Sequence, residues 1–279
     1  MNYLEMSQLM REQLRAIYSE NEQRSLMRIW ADDQSTELYR KLISEPVFNL
    51  SNQQASLFTS YVSELSGHKP YQYALGYADF FSLRFEVNSS TLIPRPETEE
   101  LVQWVIERYQ TTKKPLTVLD VGTGSGCIAI TLSKHLTISS IFAIDSSKKA
   151  LECAKRNAKN HRVEVAFERI DMSHYIPKVK FDLIVSNPPY IRELEKKEMK
   201  RNVLDHEPHE ALFVPNEDPL VHYKELAKMA RLFLKPSGGI YLEVNERFSS
   251  EVAALFNDFN QVEVRKDLFG KPRMVGAYG

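Results

Sequence analysis

Two short stretches of the 279-residue chain carry residue types and spacings that chemistry needs. The first runs Asp120-Val121-Gly122-Thr123-Gly124-Ser125-Gly126. Its three glycines, at G-x-G-x-G spacing, let backbone pass close to a flat or extended ligand without Cβ obstruction. The stretch is not the G-x-G-x-x-G of a dinucleotide fingerprint, and no Lys-Ser/Thr pair follows to make a phosphate loop. Asp120 sets an anionic group beside the loop, which suits a cationic ligand better than a phosphate. Asp145 lies 19 residues past Gly126, at the expected end of the next strand, where a carboxylate can accept both hydroxyls of a ribose. A nucleoside without phosphates but with a positive charge fits this set, and S-adenosyl-L-methionine is such a molecule. A tight strand-to-helix turn with no ligand explains the glycines alone, but not both acids at strand ends.

The second stretch is Asn187-Pro188-Pro189-Tyr190. Two consecutive prolines lack N–H donors and lock φ, so carbonyls project rigidly from a fixed turn. The Asn187 side-chain carbonyl and the Pro188 backbone carbonyl can together accept both hydrogens of a planar –NH2 group. Tyr190 supplies a flat face to stack on that group. Such a site orients an amide or exocyclic amine toward a methyl donor. The nitrogen is weakly nucleophilic, so alignment matters most, with a ceiling of roughly 7–11 kcal/mol of barrier. A structural turn after a strand is the plain alternative.

These residues need elements to hold them. Strands are expected over Leu116–Val121, Ser140–Ile144, Val163–Phe167, Phe181–Ser186 and Gly239–Val244, with helices over Cys127–His135, Ser147–Asn160 and Tyr223–Leu234. Gln261–Lys266 and Arg273–Tyr278 flank Gly270-Lys271-Pro272 as an antiparallel pair. Strands alternating with helices imply an α/β fold with a mostly parallel sheet, whose ligands sit beyond the carboxyl ends of the strands. The glycine loop, Asp145, Asp171 and Asn187 all fall at or just after those ends. Residues 1–70 differ: apolar residues recur through Leu4, Leu9, Leu14 and Ile17, and again through Leu26, Ile29 and Trp30, as in a small helical bundle. That segment is expected to be a packing or partner-docking domain. A β-hairpin connector is expected over 71–98, and the domain bearing the motifs over 99–279.

Composition narrows the classes. Apolar residues are 43% and charged residues 26%, as in an ordinary globular protein. The net charge of −1 argues against a protein that grips duplex DNA by its phosphates. Cys127 and Cys153 have no CxxC partner, so neither a zinc site nor a disulfide framework is expected. His206 and His209 flank Pro208, which spoils helical ligand geometry, and no metal is expected. The N-terminus lacks the apolar core of a signal peptide, and no run approaches a membrane span. A cytoplasmic protein is expected. Residues 191–203 are charge-dense and read as a flap or a solvated helix face. Arg95 and Glu97 are placed to reach the cleft, although Glu97 at a helix start also reads as a simple cap.

The layout of LDVGTGSG, AID and VSNPPY resembles class I S-adenosylmethionine-dependent methyltransferases that modify planar nitrogens. Within that group the chain is similar to the protein-(glutamine-N5) methyltransferases of the HemK/PrmC family, which act on class I peptide chain release factors. TLIPRPETEELV at 91–102, LDHEPHEAL at 204–212 and the terminal KDLFGKPRMVGAY support the narrower match. The resemblance covers about residues 65–279. It implies a Rossmann-like, seven-stranded, mostly parallel sheet with an antiparallel terminal hairpin, beside the N-terminal helical bundle. It implies methyl transfer to the side-chain amide of the Gln in a Gly-Gly-Gln loop, leaving S-adenosyl-L-homocysteine. Asp120, Gly122, Thr123, Gly124, Ser125, Gly126, Asp145, Asp171, Met172 and Asn187 are the expected cofactor contacts. Asn187, Pro188, Pro189 and Tyr190 are the expected substrate contacts, with Asn187, Pro188 and Tyr190 at the chemistry. Met172 departs from the family, where an aromatic residue is common, and offers adenine a softer sulfur contact. The rival substrate is an exocyclic base amine in nucleic acid, for which the chain has no evident target-recognition domain. A non-catalytic cofactor-binding protein is the third class, and would not need Asn187 beside a prolyl turn.

Overall fold

The computed structural model describes residues 1–45 and 47–279. Helices α1 (Tyr3–Leu14), α2 (Glu20–Gln34), α3 (Leu38–Ser44), α4 (Asn52–Ser66) and α5 (Tyr71–Leu75) come first. Hairpin strands β1 (Tyr77–Phe80) and β2 (Leu83–Glu86) and helix α6 (Pro96–Tyr109) follow. Next come β3 (Leu116–Val121), α7 (Cys127–His135), β4 (Ile138–Asp145), α8 (Lys148–His161), β5 (Ala166–Arg169) and β6 (Phe181–Ser186). Short elements β7 (Ile191–Arg192), α9 (Arg201–Leu204) and β8 (Phe213–Val214) precede α10 (Val221–Phe233), β9 (Leu234–Glu243), α11 (Ser249–Ala254), β10 (Gln261–Lys266) and β11 (Pro272–Tyr278).

The chain forms two units, Met1–Gly76 with Lys200–His206, and Tyr77–Met199 with Glu207–Gly279. The segment 71–98, expected as a connector, is therefore divided: α5 groups with the first unit and the hairpin with the second. In the helical unit, capping boxes start three helices: Asn2 with Glu5, Ser19 with Glu22, and Ser51 with Gln54. The buried face of α1 is Met6, Met10 and Leu14, at four-residue spacing, while Leu4 is 75% exposed. The Leu4–Leu9–Leu14 spacing does not mark that face, because a five-residue step turns away from a 3.6-residue helix stripe.

The larger unit holds a seven-stranded sheet in the order β10-β11-β9-β6-β3-β4-β5. Strands β9, β6, β3, β4 and β5 pair in parallel, and β11 and β10 add antiparallel at one edge. Alternation along β3 sends Leu116 and Val118 to the face packed with α6 and α7 residues such as Leu101 and Ile128. It sends Leu119 and Val121 to the face packed with Leu226 of α10 and Val252 of α11. The chain leaves β3 toward β4 on one side and returns to β6 on the other, so a switch point lies between β3 and β6.

Strand β5 begins three residues later than expected. Arg162 adopts a left-handed φ of 55° and the Val163 amide still bonds the Ala158 carbonyl, so 163 belongs to the helix end. Residues 191–203 do not form one helix face; β7, a 3₁₀ segment over Glu193–Glu198, and the start of α9 divide them. Among the described residues no helix is long and apolar enough to cross a membrane.

Candidate functional site

Strand register brings four residues of the site together. Val121 of β3 pairs with Ile144 of β4 and with Ser186 of β6, and Ser186 pairs with Leu242 of β9. The next residue on each strand therefore emerges on one edge: Asp145, Gly122, Asn187 and Glu243. These four come from stretches as far as 121 residues apart, from Gly122 to Glu243. The cleft over this edge is lined by the glycine loop, Asp145, Asp171, Met172, Asn187 and Pro189, together with Thr98, Glu210 and His222.

The loop is held from several sides. Gly122 and Thr123 amides donate to the Ile144 carbonyl at 2.9 and 3.0 Å, and the Gly124 amide donates to Asp145 Oδ2 at 2.9 Å. Gly124 has φ of 55°, and a Cβ there would project into open space. Gly126 is constrained differently: φ is 83°, and a Cβ would lie 3.1 Å from Ile130 Cδ1 and 3.2 Å from Ala154 Cβ. Only glycine fits a left-handed position wedged between two helices.

Asp120, whose charge suggests a place beside a cationic ligand, does not line the cleft. The side chain is fully buried behind the loop, where Oδ2 accepts the Thr123 hydroxyl at 2.7 Å and the Ala129 amide at 3.2 Å. It thereby caps the first turn of α7, which has no local side-chain cap. Among the described residues Oδ1 has no hydrogen-bond partner, and burial pushes the carboxyl pKa up to about 7. Thr123 and Ser125 are buried within the loop and line the cleft.

Asp145 faces the cleft with Oδ1 on the Ser147 amide and Oδ2 on the Gly124 amide. Each oxygen keeps a second lone pair for a ligand hydroxyl. Burial raises its pKa. Asp171 opens the 3₁₀ turn Met172–His174 and accepts the Ser173 hydroxyl and amide, which hold its carboxyl below the ordinary range. Met172 presents an apolar, polarisable wall beside it.

At the other end, Asn187 donates from Nδ2 to Thr98 Oγ1 at 3.0 Å. Thr98 donates to Glu243 Oε2 at 2.6 Å, and the Tyr190 hydroxyl donates to Glu243 Oε1 at 3.0 Å. Pro188 is buried beside Asn187, while Pro189 lines the cleft. The Tyr190 ring is half-buried, and its carbonyl accepts Asn245 Nδ2 at 3.3 Å. Burial raises the pKa of Glu243, and burial with the nearby Glu243 charge raises that of Tyr190.

Several contributors carry no sequence signal. Thr98 and Glu243 sit 145 residues apart and meet only in the fold. Asn157, fully buried in α8, donates to the carbonyls of Glu86 and Ser125 and accepts the Glu86 amide, tying hairpin and glycine loop together. Arg95 turns to Glu207 at 2.5 Å instead of lining the cleft, and Glu207 also accepts the Ile93 amide. Glu97 lies in the first turn of α6, in the position of a helix-start carboxylate. His206 donates to the Gly67 carbonyl, and His209 packs edge-on to Phe213. Cys127 and Cys153 are free and buried, with burial pushing their pKa up to about 12 and about 11. Among the described residues no group of three or more His, Cys, Asp or Glu side chains is placed to hold a metal ion.

Comparison with known proteins gives consistent results. The methyltransferase small domain family matches residues 101–212. A release factor glutamine methyltransferase of Flavobacterium psychrophilum is 44% identical over 239 residues, 84% of each chain. One of Streptococcus pneumoniae is 44% identical over 215 residues, 76% of each chain. Among solved structures, a methyltransferase of Pyrococcus furiosus shares the fold at a TM-score of 0.52 and 16% identity, over 82% of this chain and 98% of that one.

Proposed function

The chain belongs to the release factor glutamine methyltransferases, and we propose that it methylates the side-chain amide nitrogen of the Gln in the Gly-Gly-Gln loop of class I peptide chain release factors. The observation that carries this reading is the convergence of Asp145, the glycine loop and Asn187 on one cleft. S-adenosyl-L-methionine, when bound, supplies an electrophilic methyl group and leaves as S-adenosyl-L-homocysteine.

The residues present fit that cofactor. Space at Gly122 and Gly124, where a Cβ would meet nothing, admits close approach to backbone. Asp145 has lone pairs for ribose hydroxyls, and Asp171 with Met172 offers a polar edge and an apolar wall for adenine. Asp120 serves the same site from behind, by bracing the loop. No metal is needed in this scheme.

At the acceptor end, Asn187 Oδ1 and the Pro188 carbonyl accept the two hydrogens of the glutamine –NH2. Tyr190 and Pro189 flank the planar group. Holding the amide in this way aims its nitrogen at the methyl and leaves the departing proton free to reach solvent once the nitrogen is cationic. Positioning of this kind supplies several kcal/mol, within a ceiling of roughly 7–11 kcal/mol. The helical unit is the proposed docking element for the release factor, supported by Leu4, Ile43 and Leu57, which it leaves exposed. A translation factor as substrate makes the cytoplasm the proposed place of action.

The test is partition of labelled methyl among a class I release factor, tRNA and duplex DNA offered together. Label in the factor, mapped by tandem mass spectrometry to the Gln side chain, supports the reading. Label in nucleic acid alone overturns it in favour of a base-amine methyltransferase.

A further inference from the structure

An amide side chain has two ends of similar shape, and only one of them can serve the reaction. Asn187 must present Oδ1 to the substrate –NH2; presenting Nδ2 would set donor against donor. Nothing within Asn187-Pro188-Pro189-Tyr190 decides between the two orientations. The decision lies behind it.

Glu243 is 1% exposed, at the end of β9, and its carboxylate oxygens act only as acceptors when ionised. Oε1 takes the Tyr190 hydroxyl at 3.0 Å and Oε2 takes the Thr98 hydroxyl at 2.6 Å. The single hydroxyl hydrogen of Thr98 is thereby committed to Glu243. Toward Asn187, 3.0 Å away, Thr98 has only lone pairs left, so the amide group facing it must be Nδ2. Oδ1 is then the end left for the substrate. The polarity runs one way, from Asn187 through Thr98 to Glu243.

We propose that Glu243 and Thr98 are positioning residues for methyl transfer: the buried carboxylate fixes the direction of the hydrogen-bond relay, and so fixes which end of Asn187 meets the substrate amide. Neither residue touches a reacting atom. Glu243 also anchors the Tyr190 hydroxyl, so one carboxylate sets both side chains that flank the acceptor nitrogen. The charged and titratable groups around it are Glu97 on α6, Arg273 on β11, Tyr223 on α10 and Tyr190 itself, whose hydroxyl is bonded to it. Burial raises the Glu243 pKa, and the two hydroxyls donated by Thr98 and Tyr190, with Arg273 after them, act against it to favour the accept-only form that the relay requires.

This inference rests on the proposed reaction, and its test separates the two. Glu243→Gln keeps shape but replaces an obligate acceptor by a group that can donate to Thr98, which frees the relay to reverse. Thr98→Val removes the relay at constant volume, and Thr98→Ser restores the hydroxyl. Methyl transfer to a release factor is measured for each variant, with the S-adenosyl-L-methionine Kd by calorimetry and Tm by thermal melting. The expected result is a kcat at least tenfold lower for Glu243→Gln and Thr98→Val, with cofactor Kd within threefold of the unsubstituted protein. Thr98→Ser should recover kcat to within threefold. The double variant Glu243→Gln/Thr98→Val should be no slower than the worse single, because both break one relay.

An unchanged kcat in folded Glu243→Gln overturns the proposal. So does a Thr98→Ser variant as slow as Thr98→Val, which would assign Thr98 to packing through its methyl group. Loss of kcat in proportion to loss of Tm across all variants also overturns it, in favour of a merely structural role. Failure of the unsubstituted protein to methylate any release factor overturns the underlying reaction instead.

Discussion

Replacing Asp120 by Asn tests whether this carboxyl braces the glycine loop from behind or faces a cationic ligand. Buried with Oδ1 unpartnered, it has a pKa pushed from 3.8 to about 7. A carboxyl whose pKa is raised on folding binds its proton more tightly in the native state. Its contribution to stability is therefore full below the unfolded value and is lost as pH rises through the folded one. At about 1.4 kcal/mol per unit, the loss from Asp120 between pH 5 and 8 is roughly 3 kcal/mol. Asn keeps the acceptor for Thr123 and Ala129 and cannot ionise, at a cost of about 1–3 kcal/mol for an amide –NH2 placed where no partner waits. Urea unfolding of both proteins without cofactor at pH 5, 6, 7 and 8 reads the difference, in which other titrating groups cancel. Asp120→Asn should gain on the unsubstituted protein by roughly 3 kcal/mol across that range. Its Kd values for S-adenosyl-L-methionine and S-adenosyl-L-homocysteine should both stay within threefold. A pH-independent stability difference would refute the buried-carboxyl argument. Selective tenfold weakening of the sulfonium-bearing ligand would place the charge in the cleft after all.

Gly126→Ala should destabilise the fold by at least about 2 kcal/mol, since it adds backbone strain to a wedged Cβ; urea melts would show it. Gly124→Ala should cost only about 1 kcal/mol of stability and yet weaken the cofactor, because its methyl projects into open space; calorimetry separates the two effects. Asp145→Ala should weaken cofactor binding by about 1–3 kcal/mol, and an unchanged Kd would remove Asp145 from the ribose site. Asn187→Ala should leave cofactor Kd within a few fold while kcat falls by orders of magnitude. An unchanged kcat would end its assigned role.

How much of this was legible beforehand depended on whether the signal was local. Strands β3 and β6 and helix α7 stand at their expected bounds, because apolar runs there stop at glycines or at Asn-Pro-Pro. The antiparallel terminal hairpin was equally plain, flanking a Gly-Lys-Pro turn. The shift of β5 was not, since nothing in Arg162 announces a left-handed helix end. In α1, Met6 and Met10 join Leu14 in the core, and a stripe read from the leucines alone misses the two methionines. Asp145 and Asn187 could be found because each ends a readable strand. Thr98 and Glu243 could not: one reads as an ordinary helix-start residue and the other as a position in an alternating strand. Their pairing is a product of sheet register and the packing of α6. The motif marks Asp120 but not its facing, because a strand residue's direction follows from which helix covers it.

The most direct test of the central claim is transfer of labelled methyl from S-adenosyl-L-methionine to a purified class I release factor, beside a factor carrying Gln→Ala in its Gly-Gly-Gln loop. The account predicts label on the normal factor and none on the substituted one. Equal labelling of both, or of neither while the cofactor is demonstrably bound, would contradict it.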